Sequence, residues 1–232
     1  MKLSIIIPVY NEESTIAEVI EQIIKVDLPG IEKEIIVIND GSTDGTASVL
    51  KEEQQENTNV ITVLTSSRNL GKGTAIRTGL NYARGEVTLL QDADLELDPK
   101  EYSLLLEPIL SGNTSVVYGS RFLNPSNRIP WRSQSAQRIL TPLVYFLYGA
   151  WLTDEATAYK VFKTDVLKSV PLHCTRFEFC PEVTAKLLKR GYTIKEVPIS
   201  YRPRTRSEGK KLRFFRDGAI ALYTLLKYRM CD

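Results

Sequence analysis

Short apolar runs alternate with stretches in which apolar residues recur at helical spacing. Leu3-Ser4-Ile5-Ile6-Ile7-Pro8-Val9 is nearly continuous and rich in β-branched residues, the pattern of a parallel strand covered on both faces. Proline cannot donate to a ladder, so this strand is expected to end at Pro8 and turn out at Tyr10-Asn11. From Glu12, residues Ile16, Val19, Ile20, Ile23 and Ile24 define a helix with Glu12 and Glu13 in its first turn, and Leu28-Pro29-Gly30 stops it. A second buried strand over 34–38 follows. This β-α-β order implies a right-handed crossover and a parallel pair. Further strands are expected over 60–64, 87–90, 115–118 and 193–199, and another just after residue 155. Helices are expected through Leu50, over about 72–83, 99–110 and 180–190, and as an amphipathic closing element over 212–228. The alternation reads as an α/β fold with a mostly parallel sheet flanked by helices, and 232 residues suffice for one large domain or two small ones.

The chemistry concentrates where strands end. After 87–90 come Gln91-Asp92-Ala93-Asp94-Leu95-Glu96-Leu97-Asp98-Pro99, four carboxylates within seven residues. Such crowding needs a cation. Alternation along an extended segment would put Asp92, Asp94 and Glu96 on one side, able to converge on Mg2+ or Mn2+, with Ala93 leaving room for a close ligand. Asp98-Pro99 reads as an N-cap with proline at the first helical position, so the acidic run lies on a strand-to-helix loop. In open α/β sheets ligands bind outside the carboxyl ends of strands. The loop after 34–38, Asn39-Asp40-Gly41-Ser42-Thr43-Asp44-Gly45-Thr46, carries groups that bond ribose hydroxyls, base edges and phosphates, or that simply cap the next helix. Ser67-Arg68-Asn69-Leu70-Gly71-Lys72-Gly73-Thr74 fits neither the Walker pattern, because Ser66 stands where its first glycine belongs, nor GxGxxG. Lys72 there is either a solvated first-turn residue or a phosphate contact.

Cations dominate the second half. Arg121 leaves the 115–118 strand near the same edge and could fork a phosphate, and Arg128, Arg132 and Arg138 follow in a stretch without acids. Residues 139–152 form an almost uninterrupted apolar and aromatic run. It reads either as a core helix kinked near Pro142 or as a surface meeting lipid, with Tyr145, Tyr148 and Trp151 at the headgroup boundary. Asp154 and Glu155 precede the next strand as candidates for a base or for acceptor contacts. Residues 201–213 gather Arg202, Arg204, Arg206, Lys210, Lys211 and Arg213 on an irregular loop suited to folding over anions, or serving as a flexible basic linker.

Net charge changes little in this picture: +2 does not by itself indicate a nucleic-acid protein. Cys174, Cys180 and Cys231 show neither CxxC spacing nor a disulfide framework, which fits a reducing compartment. The opening apolar run is too short for a signal peptide, and no run reaches membrane-spanning length.

The ordered motifs Ser4-Ile5-Ile6-Ile7-Pro8-Val9-Tyr10-Asn11-Glu12, Val37 to Thr46, Asn69-Leu70-Gly71-Lys72-Gly73, Asp92-Ala93-Asp94, Gly119-Ser120-Arg121 and Glu196-Val197-Pro198-Ile199 resemble the family 2 glycosyltransferases of GT-A fold, most closely the dolichol-phosphate mannose synthase-like branch. The resemblance covers nearly the whole chain. It implies one catalytic domain with a Rossmann-like nucleotide-sugar-binding half over about 1–120 and an acceptor-binding extension over about 121–232. By resemblance Pro8, Tyr10, Glu12 and Asp40 hold the base and ribose of a nucleoside-diphosphate sugar, joined by Lys72 and Ala93, and Asp92, Asp94 and Glu96 bind Mg2+ or Mn2+ on its diphosphate. Arg121, Arg132, Arg138 and Lys211 hold the phosphate of a polyprenyl acceptor, while Arg204, Lys210 and Lys211 close over both phosphates. A phosphomonoester has its second pKa near ~6, so it is already an anionic nucleophile and needs no base. One displacement would invert the anomeric centre. GDP-mannose is the favoured donor, with UDP-glucose also compatible. Glu96 stands where the mannose synthases commonly carry glutamine, and Gln134-Ser135-Ala136-Gln137-Arg138-Ile139 lacks the QxxRW pattern of processive synthases. The alternatives are transfer to a glycan hydroxyl with Asp154 or Glu155 as base, and a non-catalytic nucleotide-sugar-binding subunit. The resemblance places the protein in the cytoplasm, peripheral to the membrane through about 139–152 or through a membrane-anchored partner subunit.

Overall fold

The computed structural model describes residues 1–204 and 214–231, apart from the side chains of Arg132, Phe214 and Phe215. Seven strands form one sheet: β1 (Lys2–Val9), β2 (Glu32–Asn39), β3 (Ile61–Thr65), β4 (Val87–Leu90), β5 (Val116–Ser120), β6 (Lys160–Lys163) and β7 (Ile194–Pro198). Their order is β3-β2-β1-β4-β6-β5-β7, with β6 antiparallel to both neighbours and every other pairing parallel. β1 is central, and its alternation serves both faces. Leu3, Ile5, Ile7 and Val9 enter the core beneath α1 (Ile16–Lys25), α2 (Thr46–Glu56) and α4 (Tyr102–Leu110), whereas Ile6 faces the opposite layer. That second layer comprises α3 (Lys72–Tyr82), α5 (Trp131–Tyr148), α6 (Thr164–Ser169), α7 (Phe179–Lys189) and α8 (Phe214–Met230).

Three local expectations change. β1 continues through Pro8 to Val9, because β4 pairing ends at Ile6 and the missing proline N–H faces the gap that β4 leaves. α1 begins at Ile16, so Glu12 and Glu13 lie in the preceding turn, where the Glu12 carbonyl accepts from the Thr15 and Ile16 amides. α5 spans Trp131–Tyr148 and ends at Gly149, whose φ of 73° closes it in the left-handed region. The apolar run is therefore divided. Leu140, Val144 and Leu152 are core, whereas Ile139, Tyr145, Phe146 and Trp151 are exposed.

Candidate active site

The carboxyl ends of β1, β2 and β4 present their loops side by side. The Asn11 amide donates to Ser42 Oγ at 3.0 Å, the Thr43 amide to Asn11 Oδ1 at 2.8 Å, and the Glu12 amide to Thr46 Oγ1 at 2.9 Å. These bonds lash the β1 loop to the β2 loop and leave the Glu12 carboxylate turned inward. Gly41 at φ 68° lies so close to the Arg68 backbone that a Cβ would sit 2.4 Å from its carbonyl carbon. Asp40 is buried, and its two oxygens accept from the Leu70 and Gly71 amides at 2.8 and 2.7 Å. It fastens the start of α3 to the site instead of presenting both oxygens to a ribose.

The acidic loop does not run extended. It bends at Ala93 and Asp94 and turns through Leu95-Glu96-Leu97, so strand alternation does not apply, and Ala93 is buried in the core with its carbonyl accepting from Thr15 Oγ1 at 2.8 Å. Two cations serve these carboxylates, Lys72 for Asp92 and Arg204 for Asp94, Glu96 and Glu12. Asp92 pairs with Lys72, and Asp94 Oδ2 accepts from Arg204 Nη2 at 2.6 Å. Arg204 Nη1 donates to both Glu12 oxygens, at 3.2 and 3.0 Å, and the Arg204 amide donates to Glu96 Oε1 at 2.9 Å. Among the described residues no three acidic, histidine or cysteine side chains converge on one point: Asp92 faces Lys72, while Asp94 and Glu96 face Arg204.

The donor chemistry nevertheless fits a hard divalent cation. Burial, with Asp92 and Glu96 beside it, pushes Asp94 up to about 7 against the pull of Arg204, so a further cation at this loop would favour its ionised form. Asp92, Asp94 and Glu96 are the oxygen donors that would hold one. Burial lowers the Lys72 ammonium, but neighbouring Asp92 outweighs it and holds its pKa above the ordinary value. Beneath the loop, Gln91 Oε1 accepts from the Tyr102 and Tyr159 hydroxyls at 2.8 Å each, and Gln91 Nε2 donates to the Asp92 carbonyl at 2.9 Å, so the origin of the acidic run is fixed from below.

A second cluster sits at the end of β5. Arg121 Nε and Nη2 donate to the two oxygens of Asp154 at 2.7 Å each, and the Arg121 amide adds a third bond at 3.0 Å. The Asp154 side chain is fully buried, and Arg121 lies over the Tyr201 ring at 5.1 Å. Burial disfavours the Arg121 cation, but Asp154 overrides this and raises its pKa above the usual range. Glu196 of β7 accepts from the Thr153 and Asp154 amides at 2.7 and 2.8 Å, and Asn127 Nδ2 donates to the Arg121 and Ile199 carbonyls at 2.8 and 2.7 Å. Asp154 is thus a positioning group for Arg121, with neither oxygen left over for the role of base.

Glu155 is buried in the protein, with the Thr184 hydroxyl beside its carboxyl as a long or poorly aligned contact that falls short of a well-formed hydrogen bond. Burial pushes its pKa from 4.5 up to about 7, with Asp154 adding to the shift and the Lys160 ammonium opposing it. Lys160 Nζ itself donates to the Glu155 and Thr157 carbonyls at 2.7 and 2.8 Å and lies over the Tyr118 ring. The folded state therefore binds this proton more tightly than the unfolded chain, and stability is lost as pH rises from the unfolded value to about 7. Glu155→Gln should be more stable than the wild type above that window, by about 3 kcal/mol at most, with little difference below pH ~4. Denaturant midpoints at both pH values check this, and an equal effect at both would refute it.

The remaining candidates are dispersed. Pro8 and half-buried Tyr10 end β1 beside these loops. Arg138 lies on the exposed face of α5 and makes no ion pair among the described residues. Arg132 is in α5 but its side chain, like Lys210 and Lys211, lies outside the described residues. Sequence reasoning passed over Thr15 and Asn127 and gave Gln91, Glu196 and Tyr201 no role of their own, because the importance of these polar residues comes only from distant partners.

The sequence and the fold are similar to those of known proteins. The chain is 30% identical over 210 residues to the undecaprenyl-phosphate 4-deoxy-4-formamido-L-arabinose transferase of Edwardsiella ictaluri (strain 93-146), a stretch covering 90% of this chain and 62% of that relative. Among solved structures, the glucosyl-3-phosphoglycerate synthase of Mycobacterium tuberculosis, in complex with Mn2+, UDP and phosphoglyceric acid, superposes with a TM-score of 0.77 at 20% identity, over 100% of this chain and 79% of that one. The mannosyl-3-phosphoglycerate synthase of Rubrobacter xylanophilus gives 0.74 at 19% identity, over 97% and 73%. The fold is GT-A, a mixed α/β sheet flanked by helices. A family model described as glycosyl transferase family 2 matches residues 4–170, and the chain belongs to that family.

Proposed function

We propose that this protein transfers a glycosyl group, with inversion, from a nucleoside-diphosphate sugar to a polyprenyl phosphate. The observation that carries this reading is the Arg121–Asp154 fork: a fixed, partly buried guanidinium at the end of β5, with its carboxylate partner fully engaged. A phosphate acceptor needs such a cation and no base, whereas a hydroxyl acceptor needs a base that Asp154 does not supply. The relative named for an undecaprenyl-phosphate transferase supports the same acceptor class, and the Mycobacterium tuberculosis neighbour holds phosphoglyceric acid together with UDP and Mn2+. That relative's sugar is a formamido-arabinose, so GDP-mannose is one donor to test among several.

In this reading Glu12 and Tyr10 line the nucleoside side, and Asp92, Asp94 and Glu96 hold Mg2+ or Mn2+ at the diphosphate. Bound there, the metal offsets the charge of the departing nucleoside diphosphate. Lys72 holds Asp92 in place, and Arg121, seated on Tyr201, orients the acceptor phosphate so that its oxygen attacks from the opposite face. Lys210 and Lys211 are proposed to add charge over the phosphates.

The acceptor's chain calls for a lipid-facing surface. No helix among the described residues is long and apolar enough to cross a membrane. The exposed face of α5 supports peripheral contact instead: Phe146 is 85% exposed, Trp151 just beyond the helix is 64% exposed and meets Tyr145 edge to face, and the helix contains no acidic residue. Tyr223, Leu226 and Met230 extend apolar exposure onto α8, which packs against α5. Phe146→Asp with Trp151→Asp should abolish co-sedimentation with liposomes while moving stability by no more than about 0.5 kcal/mol per site. Retained sedimentation would remove this surface from the account.

The deciding experiment is transfer of radiolabelled sugar into extractable polyprenyl phosphate, with GDP-mannose, UDP-glucose and a UDP-linked formamido-pentose as donors. Organic-phase label that requires Mg2+ or Mn2+ supports the proposal and names the donor. Label only in soluble acceptors, or donor binding without transfer, would overturn it.

A further inference from the structure

We propose that the groove where the end of α5 meets the last turns of α7 and α8 is a binding site for anionic phospholipid headgroups, which holds α5 flat on the membrane. This rests on the lipid-facing reading of α5 above. Exposed residues of α5 recur at helical spacing, at Trp131, Arg138, Ile139, Pro142, Tyr145 and Phe146, so one face is open to the surroundings along its length of ~27 Å. A helix that beds one face in a bilayer lies in the plane of the surface, and Trp131 at one end with Tyr145 and Trp151 at the other suit the headgroup boundary. The groove opens beside that second end. α5 contributes Tyr145, Phe146 and Tyr148 to its lining, α7 contributes Leu188 and Lys189, and α8 contributes Arg229.

Its three helices are tied together. Tyr148 Oη donates to the Leu225 carbonyl at 2.6 Å, which fastens the end of α5 to α8, and the Lys186 ammonium lies over the Tyr228 ring, which fastens α7 to α8. Basic residues gather at helix carboxyl ends in any case, because they answer the helix dipole. Here two of them are engaged within the protein, Lys186 with Glu182 and Lys227 over the Tyr228 ring. Lys189 and Arg229 are exposed instead, and neither has an ion-pair partner among the described residues. Burial raises the pKa of the Tyr148 phenol and the Arg229 charge opposes that rise, so the guanidinium lies near the α5 side of the groove. No acidic residue lines the groove or occurs in α5. A phosphodiester headgroup answers these two cations, and the exposed Phe146 and Met230 beside them answer its acyl chains. An acidic protein segment would answer the cations but leave the apolar face of α5 uncovered.

The test is co-sedimentation of the full chain with sucrose-loaded vesicles free of polyprenyl phosphate, made of phosphatidylcholine alone or with about one-third phosphatidylglycerol. The wild type should bind the anionic vesicles more tightly, by about 5-fold for each of Lys189 and Arg229, and added salt should erode that preference. Lys189→Gln with Arg229→Gln should lose the preference while binding neutral vesicles as the wild type does. Lys51→Gln with Lys195→Gln removes the same charge from exposed positions of α2 and β7 and should keep it. A preference that survives in Lys189→Gln with Arg229→Gln would overturn the proposal. So would an equal fall in both double variants, because net charge alone would then draw the protein to the surface. Should Tm drop in the first pair, Lys189→Glu alone must show the loss, and a preference retained there overturns the proposal too. Wild type that binds neither vesicle would defeat the lipid-facing reading of α5 and this site with it, whereas neutral binding without any charge preference would defeat the site alone.

Discussion

Asp94→Ala should lower glycosyl transfer by about 10³-fold, the scale on which lost electrostatic stabilisation of a leaving group is felt. It should do so without unfolding the protein. Burial and the neighbouring Asp92 and Glu96 carboxylates push Asp94 up to about 7, so the fold should gain little from its charge. Removing it leaves Arg204 with both Glu12 oxygens and Glu96. Stability should therefore change by less than about 1 kcal/mol, and the nucleotide's affinity should lose its dependence on Mn2+. Calorimetry of UDP and GDP binding with and without Mn2+ separates these effects. Metal-dependent binding that survives in Asp94→Ala would show that the site assignment is wrong.

Arg121→Met should cost both stability and function. The Asp154 carboxylate it abandons is fully buried, and breaking a buried pair from one side costs about 3–5 kcal/mol because the remaining charge has no compensation. Transfer should fall by about 10²-fold as the acceptor phosphate loses its oriented cation. The double replacement Arg121→Met with Asp154→Leu separates the two contributions. It removes both charges, so stability should return toward the wild type while transfer stays low. Recovery of transfer along with stability would mean that the fork only holds the β5 end in place and never meets the acceptor.

Most of the fold was legible from local patterns. The β-branched run of β1, the helical spacing of Ile16, Val19, Ile20 and Ile23, and the Asp98-Pro99 start all appear where expected, because each depends on neighbours within a few residues. The errors were also local in origin. Pro8 was expected to end β1, but the sheet order leaves its missing donor facing a gap, and Glu12 was expected in the first turn of α1 but lies before it.

The site was legible in its parts and not in its pairings. That acids follow β4, that an arginine follows β5 and that cations follow β7 can all be read along the chain, as can their common placement at strand ends. Which acid meets which cation cannot. Arg204 reaches Glu12 across 192 positions and Asp94 across 110, and Arg121 reaches Asp154 across 33. Such pairs are chosen by the paths of the loops and by burial, which makes an unpaired charge costly and so forces each carboxylate toward the nearest cation that the fold supplies. Periodicity and turn residues settle secondary structure because they act within a few residues. The pairing of Asp92 with Lys72, Asp94 with Arg204 and Asp154 with Arg121 exists only after the sheet has brought its strand ends together and excluded water from between them.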